Sequence, residues 1–298
     1  MAIPVFSHPD CLAHDPGPGH PETPARLAAV LARLRVEPSA RLVEAPPGDR
    51  DALRRVHPEA HLAELEELSR AGGGSVSLDT CANGASWAAV LGATGALAAA
   101  IEAAHAGGTH SFAAVRPPGH HALANRAMGF CLVNNVVVGA REAQRLGRDR
   151  ILIIDWDVHH GNGTQALVEA DPTVRYVSLH QHPWYPGTGL AEERGVGNIF
   201  NVPRGPGAPA DRYVEDLWSA IVAATDRWVP DLVLLSAGYD ALAGDPLGGF
   251  TLEPADLAGL TERLRERLPM VPIVGVLEGG YRPARVAEGV AATVRALA

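Results

Sequence analysis

Cysteine is scarce: Cys11, Cys81 and Cys131 are the only three in 298 residues. They are too few and too scattered for a disulfide framework or a thiolate zinc site, so reduced thiols in a cytoplasmic protein are expected. Aromatic side chains are also sparse, at 5%. No Ser/Gly/Pro linker, charge block or internal repeat divides the chain, which points to a single domain over 1–298, although the length alone would admit two. The opening Met1-Ala2-Ile3-Pro4 has neither a basic nor an apolar stretch, so a signal peptide is not expected. The longest apolar stretch, Trp87 to Ala104, is rich in Ala and Gly and contains Thr94 and Glu102; it reads as a packed helix, not a membrane span. Basic residues are outnumbered 25 to 34, and a net charge of −9 opposes non-specific binding to nucleic acid or anionic membranes. What is abundant is ordinary core material: 47% hydrophobic residues, typical of a globular protein.

Those hydrophobic residues fall into a recurring order of apolar strand, polar loop and amphipathic helix. Strands are expected at 3–6, 112–115, 151–154, 174–179, 232–236 and 272–277. Helices are expected near 24–34, 59–69, 86–105, 133–145, 209–226, 254–267 and 284–297. Such alternation implies an α/β protein with a mainly parallel central sheet flanked by helices. The Pro/Gly-rich stretches Asp15–Pro21, Pro183–Gly189 and Pro203–Pro209 read as ordered surface loops.

Chemically capable residues gather where the strands end. Phe112–Val115 runs into Arg116-Pro117-Pro118-Gly119-His120-His121, and Ile151–Ile154 into Asp155-Trp156-Asp157-Val158-His159-His160. Val174–Leu179 leads to His180-Gln181-His182, Leu232–Leu235 to Ser236-Ala237-Gly238-Tyr239-Asp240, and Ile273–Leu277 to Glu278-Gly279-Gly280-Tyr281. In a parallel sheet these exits share one rim, where ligands bind in open α/β folds.

Asp157 and His159 are two apart, so in extended backbone they share a side. With Asp240 from another exit they would make a one-His, two-carboxylate metal site with open positions for water and substrate. The alternative is strand-end caps or surface ion pairs. Adjacent His120 and His121 suit proton transfer beside a metal-activated water, with Asp155 able to accept from one ring and Asn162 from the other; a plain structural turn is the competing reading. The Tyr281 phenol can donate to a developing oxyanion, or simply pack in the core. Gly129, Phe130 and Tyr185 can line an apolar channel.

Taken in series, these segments resemble the zinc-dependent histone deacetylase family, of the arginase/deacetylase fold. The matching stretches run from His8-Pro9 and Gly19-His20-Pro21-Glu22 through Arg116 to His121, Gly129 to Asn135, Asp155 to Gly163, Ser178-Leu179-His180, Tyr185 to Gly189 and Ser236 to Asp240, ending at Gly244-Asp245-Pro246 and Gly279-Gly280-Tyr281. Pro21-Glu22 and Asn162 resemble the class II-like bacterial branch, which includes acetylpolyamine amidohydrolases. The resemblance implies Asp157, His159 and Asp240 as ligands of zinc, with iron(II) as the alternative metal. It implies His121 as general base and then acid, oriented by Asn162, and His120 as its electrostatic partner, held by Asp155. Tyr281 would polarise the amide carbonyl. A potassium ion would take main-chain and side-chain oxygens of Asp155, Asp157, His159, Ser178 and Leu179. Gly129, Phe130 and Tyr185 would line the acyl-amine channel, and Arg26 would lie near an internal acetate-release cavity.

Leu247 stands where a polyamine-specific member has a gatekeeper glutamate, so an acyl-lysine substrate fits better than a polyamine, though small acylated amines stay open. Hydroxamates would inhibit, and homo-oligomerisation is open. Cys81 and Cys131 fall near positions that form a redox switch in one relative. Two other readings compete: an arginase-like ureohydrolase, which would need more acidic ligands for two manganese ions, and a non-catalytic acyl-lysine binder, which would be expected to have lost a ligand, a histidine or Tyr281.

Overall fold

A computed structural model describes all residues, 1–298. The strands are β1 (Ile3–Ser7), β2 (Ala40–Glu44), β3 (Gly73–Ser75), β4 (Cys81–Asn83), β5 (Ser111–Ala113), β6 (Ile151–Asp155), β7 (Val174–Gln181), β8 (Ile199–Arg204), β9 (Leu232–Ala237) and β10 (Ile273–Leu277). The helices are α1 (Asp10–Ala13), α2 (Pro24–Leu34), α3 (Arg50–Arg54), α4 (Glu59–Arg70), α5 (Ser86–Gly107), α6 (Asn135–Arg145), α7 (Asn162–Val168), α8 (Ala210–Ala224), α9 (Pro254–Arg267) and α10 (Pro283–Leu297). Eight strands form one parallel sheet in the order β2-β1-β5-β10-β9-β6-β7-β8, and β3 pairs with β4 as a separate antiparallel ribbon.

The central strands are buried along their whole length and apolar up to their exits because helices cover both faces. Every residue of β6, β9 and β10 is buried. A parallel sheet has no wet face, so its inner strands read as unbroken apolar runs. Fully burying one such aliphatic side chain contributes about 1.5–3 kcal/mol. The main core cluster runs from Ile3 to Leu297, and a smaller one gathers Leu53, Leu62, Leu65, Val90 and Leu132.

All six expected strands are present, β5 being shorter than expected. The sequence reading missed the β3–β4 ribbon and the short helices α1, α3 and α7, and in the main sheet it missed β2 and β8, which are its two edges. β2, Ala-Arg-Leu-Val-Glu, has no fully buried residue. β8 contains Pro203, which the reading assigned to a surface loop. The carbonyls of Asn198 and Arg204 point at β7, where they accept from Tyr176 and His182. Main-chain direction alternates along a strand, so Pro203 points away from β7, toward the open edge where a missing N–H costs nothing.

Helix α5 is long and apolar enough to cross a membrane by length and composition, yet 61% of its apolar window is buried in the fold. It packs on β1, β5 and α6, as the Ala- and Gly-rich sequence implies. Gly95 lets it approach the Pro46–Gly48 backbone, where a Cβ would overlap main-chain atoms. Helix starts follow local chemistry. Asn134 caps α6 by accepting from Val137 N at 3.0 Å, and Glu253 and Asp256 form a reciprocal capping box on α9.

Candidate active site

The exits of β5, β6, β9 and β10 meet at the centre of one rim. Asp155 is the last residue of β6, and Asp157 and His159 follow in the turn beyond it, all buried. Asp240 arrives three residues past β9. One ligand atom from each of Asp157, His159 and Asp240 lies within 4.8 Å of the others. His159 Nδ1 is 3.0 Å from Asp157 Oδ1 and 3.2 Å from Asp240 Oδ2. The main chain fixes both acids: His159 N and Gly279 N donate to the two oxygens of Asp157, each at 2.9 Å, and Val158 N donates to Asp240 Oδ1 at 2.8 Å. Asp240 Oδ2 is buried with no hydrogen bond.

Glycines make room for this crowding. A Cβ on Gly238 would overlap the Asp157 carboxylate, and one on Gly279 would overlap both carboxylates. Burial and the Asp157 charge push the Asp240 carboxyl up to about 7. Burial acts on Asp157 in the same sense, but His120 and His159 outweigh it and hold that carboxyl well below the usual range. Two carboxylates and one imidazole, buried and converging, with Asp240 Oδ2 outside any hydrogen bond, fit a divalent cation that accepts mixed O and N donors, as zinc and iron(II) do.

The two histidines stand beside this cluster with their rings 4.0 Å apart. His120 Nδ1 is 3.1 Å from Asp155 Oδ2, which also accepts from Tyr176 Oη at 3.0 Å. His121 Nδ1 is 2.8 Å from Asn162 Oδ1. Burial works against a charged His120, but Asp157 and Asp155 overcome it and raise the ring to about 10. Burial, then the charges of His120 and His159, push His121 well below its ordinary value. Neighbouring groups driven apart in this way divide into a charged partner and a neutral proton acceptor.

A pocket of about 260 Å³ descends to His121, His159 and Tyr281, and its walls include Gly129, Phe130, Tyr185 and Leu247. All four sequence-derived channel residues therefore face it. Gly129 and Phe130 both have positive φ, 57° and 68°. A Cβ on Gly129 would overlap the His121 ring, so only glycine allows the wall to lie this close. Phe130 is held in a conformation that side chains rarely adopt. The turn is pinned from outside: Asp79 Oδ1 accepts from Gly129 N, and Thr80 Oγ1 from Phe130 N, each at 3.0 Å. Phe130 meets Tyr281 edge-on at 5.7 Å. Burial and Asp240 push the Tyr281 phenol well above its ordinary pKa, so it stays a donor.

Two wall residues escaped the sequence reading. Asp79 is an isolated acid before β4, and Trp184 ties two rim loops by donating from Nε1 to Leu247 O at 2.8 Å. Neither sits in a dense cluster. Trp184 adjoins the expected Tyr185, and that adjacency was the only signal available.

Of the residues expected at a potassium site, Asp155 pairs in register with Ser178, and Leu179 follows Ser178 in β7 and is buried. Arg26 is buried, with its guanidinium on Glu22 and on the carbonyls of Glu278 and Gly280, and its Cζ is 5.0 Å from the Tyr281 ring centroid. His160 bonds Thr188 Oγ1 at 2.8 Å and Gln165 Oε1 at 2.9 Å, away from the cluster. Cys81 and Cys131 are free thiols.

Comparison with known proteins gives one consistent result. A family profile described as histone deacetylase domain matches residues 20–297. An uncharacterized protein of Synechocystis is 40% identical over 99% of each chain. A histone deacetylase-like amidohydrolase of Pseudomonas aeruginosa is 38% identical, over 89% of this chain and 73% of that one. A probable deacetylase of Archaeoglobus fulgidus is 35% identical, over 94% and 82%. Among solved structures, the crystal structure of the HDA15 HD domain superposes with a TM-score of 0.94 at 34% identity, covering 99% of this chain and 88% of that one.

Proposed function

The chain belongs to the histone deacetylase family and has its arginase/deacetylase fold, and from this premise we propose a zinc-dependent amidohydrolase that removes acetyl or longer acyl groups from the ε-amine of lysine or a similar primary amine. That it is a deacetylase enzyme follows from the family; the metal, the residue roles and the substrate are our reading. One observation carries it: His121, held on its Nδ1 by Asn162, lines the same pocket as Tyr281 and the metal-ligating candidate His159.

Asp157, His159 and Asp240 would hold the zinc. A zinc ion there would polarise the acyl carbonyl and lower the pKa of an attacking water. His121 takes the proton from that water while its oxygen bonds to the acyl carbon. Tyr281 donates a hydrogen bond to the carbonyl oxygen as negative charge grows on it. His121 then hands its proton to the amine nitrogen, the C–N bond breaks, and amine and carboxylate leave. His120, held by Asp155, keeps a positive charge beside the developing anion. The main-chain oxygens of Asp155, Asp157, His159 and Leu179, with Ser178, would hold a potassium ion. Residues 1–298 would act as one catalytic domain.

The channel supports a neutral acylated chain. Asp79 is the only acid in its lining, and Leu247 stands at its wall where a polycation would need another. A fluorogenic acetyl-lysine substrate tests the reading. Amine release that is abolished by chelation, restored by one equivalent of zinc and blocked by a hydroxamate is expected. Two manganese ions per active chain would favour the ureohydrolase instead.

A further inference from the structure

The exit of β10 carries one buried acid that the chemistry above does not use. Glu278 is 0% exposed. β10 and β5 remain paired only as far as Val276 and Ala113. Beyond that point the chain after β5 swings into the turn that bears both histidines. There Glu278 Oε2 accepts from Gly119 N at 2.6 Å and from His120 N at 3.1 Å. One side-chain oxygen thus continues the link between the strands after the ladder has stopped.

The main chain around Glu278 is fixed on its other sides. Its N donates to Ala237 O at 3.0 Å, at the exit of β9. Its carbonyl accepts from Arg26 Nη2 at 2.5 Å. Gly279 N then donates to Asp157 Oδ2 at 2.9 Å, and Tyr281 N donates to Asp245 Oδ2 at 2.7 Å. The strand exit that carries Tyr281 is therefore anchored along its main chain, and the Glu278 side chain is the arm by which it holds the histidine turn. Only one of its oxygens does so, since Oε1 has no hydrogen-bond partner.

We propose that Glu278 is a positioning residue that fixes the His120–His121 turn against the Tyr281 exit, and that it acts through the reach of one acceptor oxygen rather than through its charge. The proposal rests on the assignment of His121 and Tyr281 as a catalytic pair. A glutamine has the same reach without the charge. An aspartate has the charge but is one methylene short. A methionine has neither acceptor, and it leaves two buried N–H groups unpaired.

The metal-loaded full chain, assayed on an acetyl-lysine peptide, separates these cases. E278Q is expected to keep kcat within about fivefold of the parent, while E278D and E278M each lose about 100-fold in kcat with KM within about twofold, the pattern of a displaced catalytic group. Hydrogen exchange is read on the same proteins. Amides of 116–122 should stay protected in E278Q and lose protection in E278D. Should E278M not fold, the contrast between E278D and E278Q still decides. Full kcat in E278D, an E278Q as impaired as E278D, or a loss confined to KM would each overturn the proposal. A parent enzyme inactive on every acyl-lysine substrate would sink the deacetylase reading instead, and the exchange contrast would still judge the anchor.

Discussion

Two buried charge clusters approach Tyr281, and they are built in opposite ways. In the first, Glu22 receives Arg116 Nε and Nη2 at 2.6 Å each and Arg26 Nη1 at 2.7 Å. Arg116 spends its remaining donors on the carbonyls of Cys11, His14 and Glu22. Every charge there meets its opposite or a carbonyl. In the second, two carboxylates crowd one imidazole, and Asp240 Oδ2 accepts no hydrogen bond. Both are buried, so burial alone does not distinguish structure from function. Closure does. A cluster that satisfies itself holds the fold, and one with surplus negative charge has room for a cation.

The largest expected effect lies in the open cluster's neighbourhood. His121→Ala should lower turnover by about 100- to 10,000-fold while metal per chain, read by elemental analysis, is unchanged. Unaltered turnover would place the proton acceptor elsewhere. Next comes the closed cluster. Arg116→Met strips Glu22 of its bidentate partner and should cost about 3–5 kcal/mol in denaturant unfolding; a loss within 1 kcal/mol would show the cluster to be less closed than its geometry.

The same cluster sets an acid limit. Burial would raise the Glu22 carboxyl, but Arg116 and Arg26 outweigh it and lower it from 4.5 to about 2. The unfolded chain therefore takes up the proton first as pH falls. The stability contributed by Glu22 is complete above its unfolded value and drains away as pH drops through the folded one. A melting temperature that is flat between pH 5 and 2 would contradict this.

Tyr281→Phe should cost about 100-fold in kcat with little change in the closed cluster's stability. The smallest effect reverses the usual sign. With metal removed, Asp240→Asn relieves a carboxyl that burial and Asp157 resist, and it should stabilise the protein by about 0.5–2 kcal/mol while abolishing activity. A destabilised variant would mean that the open cluster is closed by something other than a metal.

The open cluster was legible in the sequence as a cluster, whereas members of the closed one stood out singly and not as partners. Asp157, His159 and Asp240 stand at the ends of apolar strands, within runs that have no other use for polar residues. Periodicity marks such places directly. Arg116 and Glu22 are 94 residues apart, and Glu278 reaches Gly119 across 159. Each is an ordinary charged residue until its partner is known. The sheet divides similarly. β6, β9 and β10 are continuous apolar runs because both faces are covered, whereas β2 and β8, at the edges, lack that pattern. Asp79 shows the same limit in the pocket, since its use depends on a strained turn 50 residues away.

Pro203 has a consequence for how the molecule behaves in a crowded solution. An eight-stranded parallel sheet that ends in bare strands offers other chains a surface on which to grow. On the outer side of β8, Pro203 has no N–H to give, and the N–H of Ile199 is already taken by Arg194 O at 3.2 Å. A stray strand docking there would find its register interrupted at both ends, so sheet-to-sheet aggregation is discouraged along this flank of the protein.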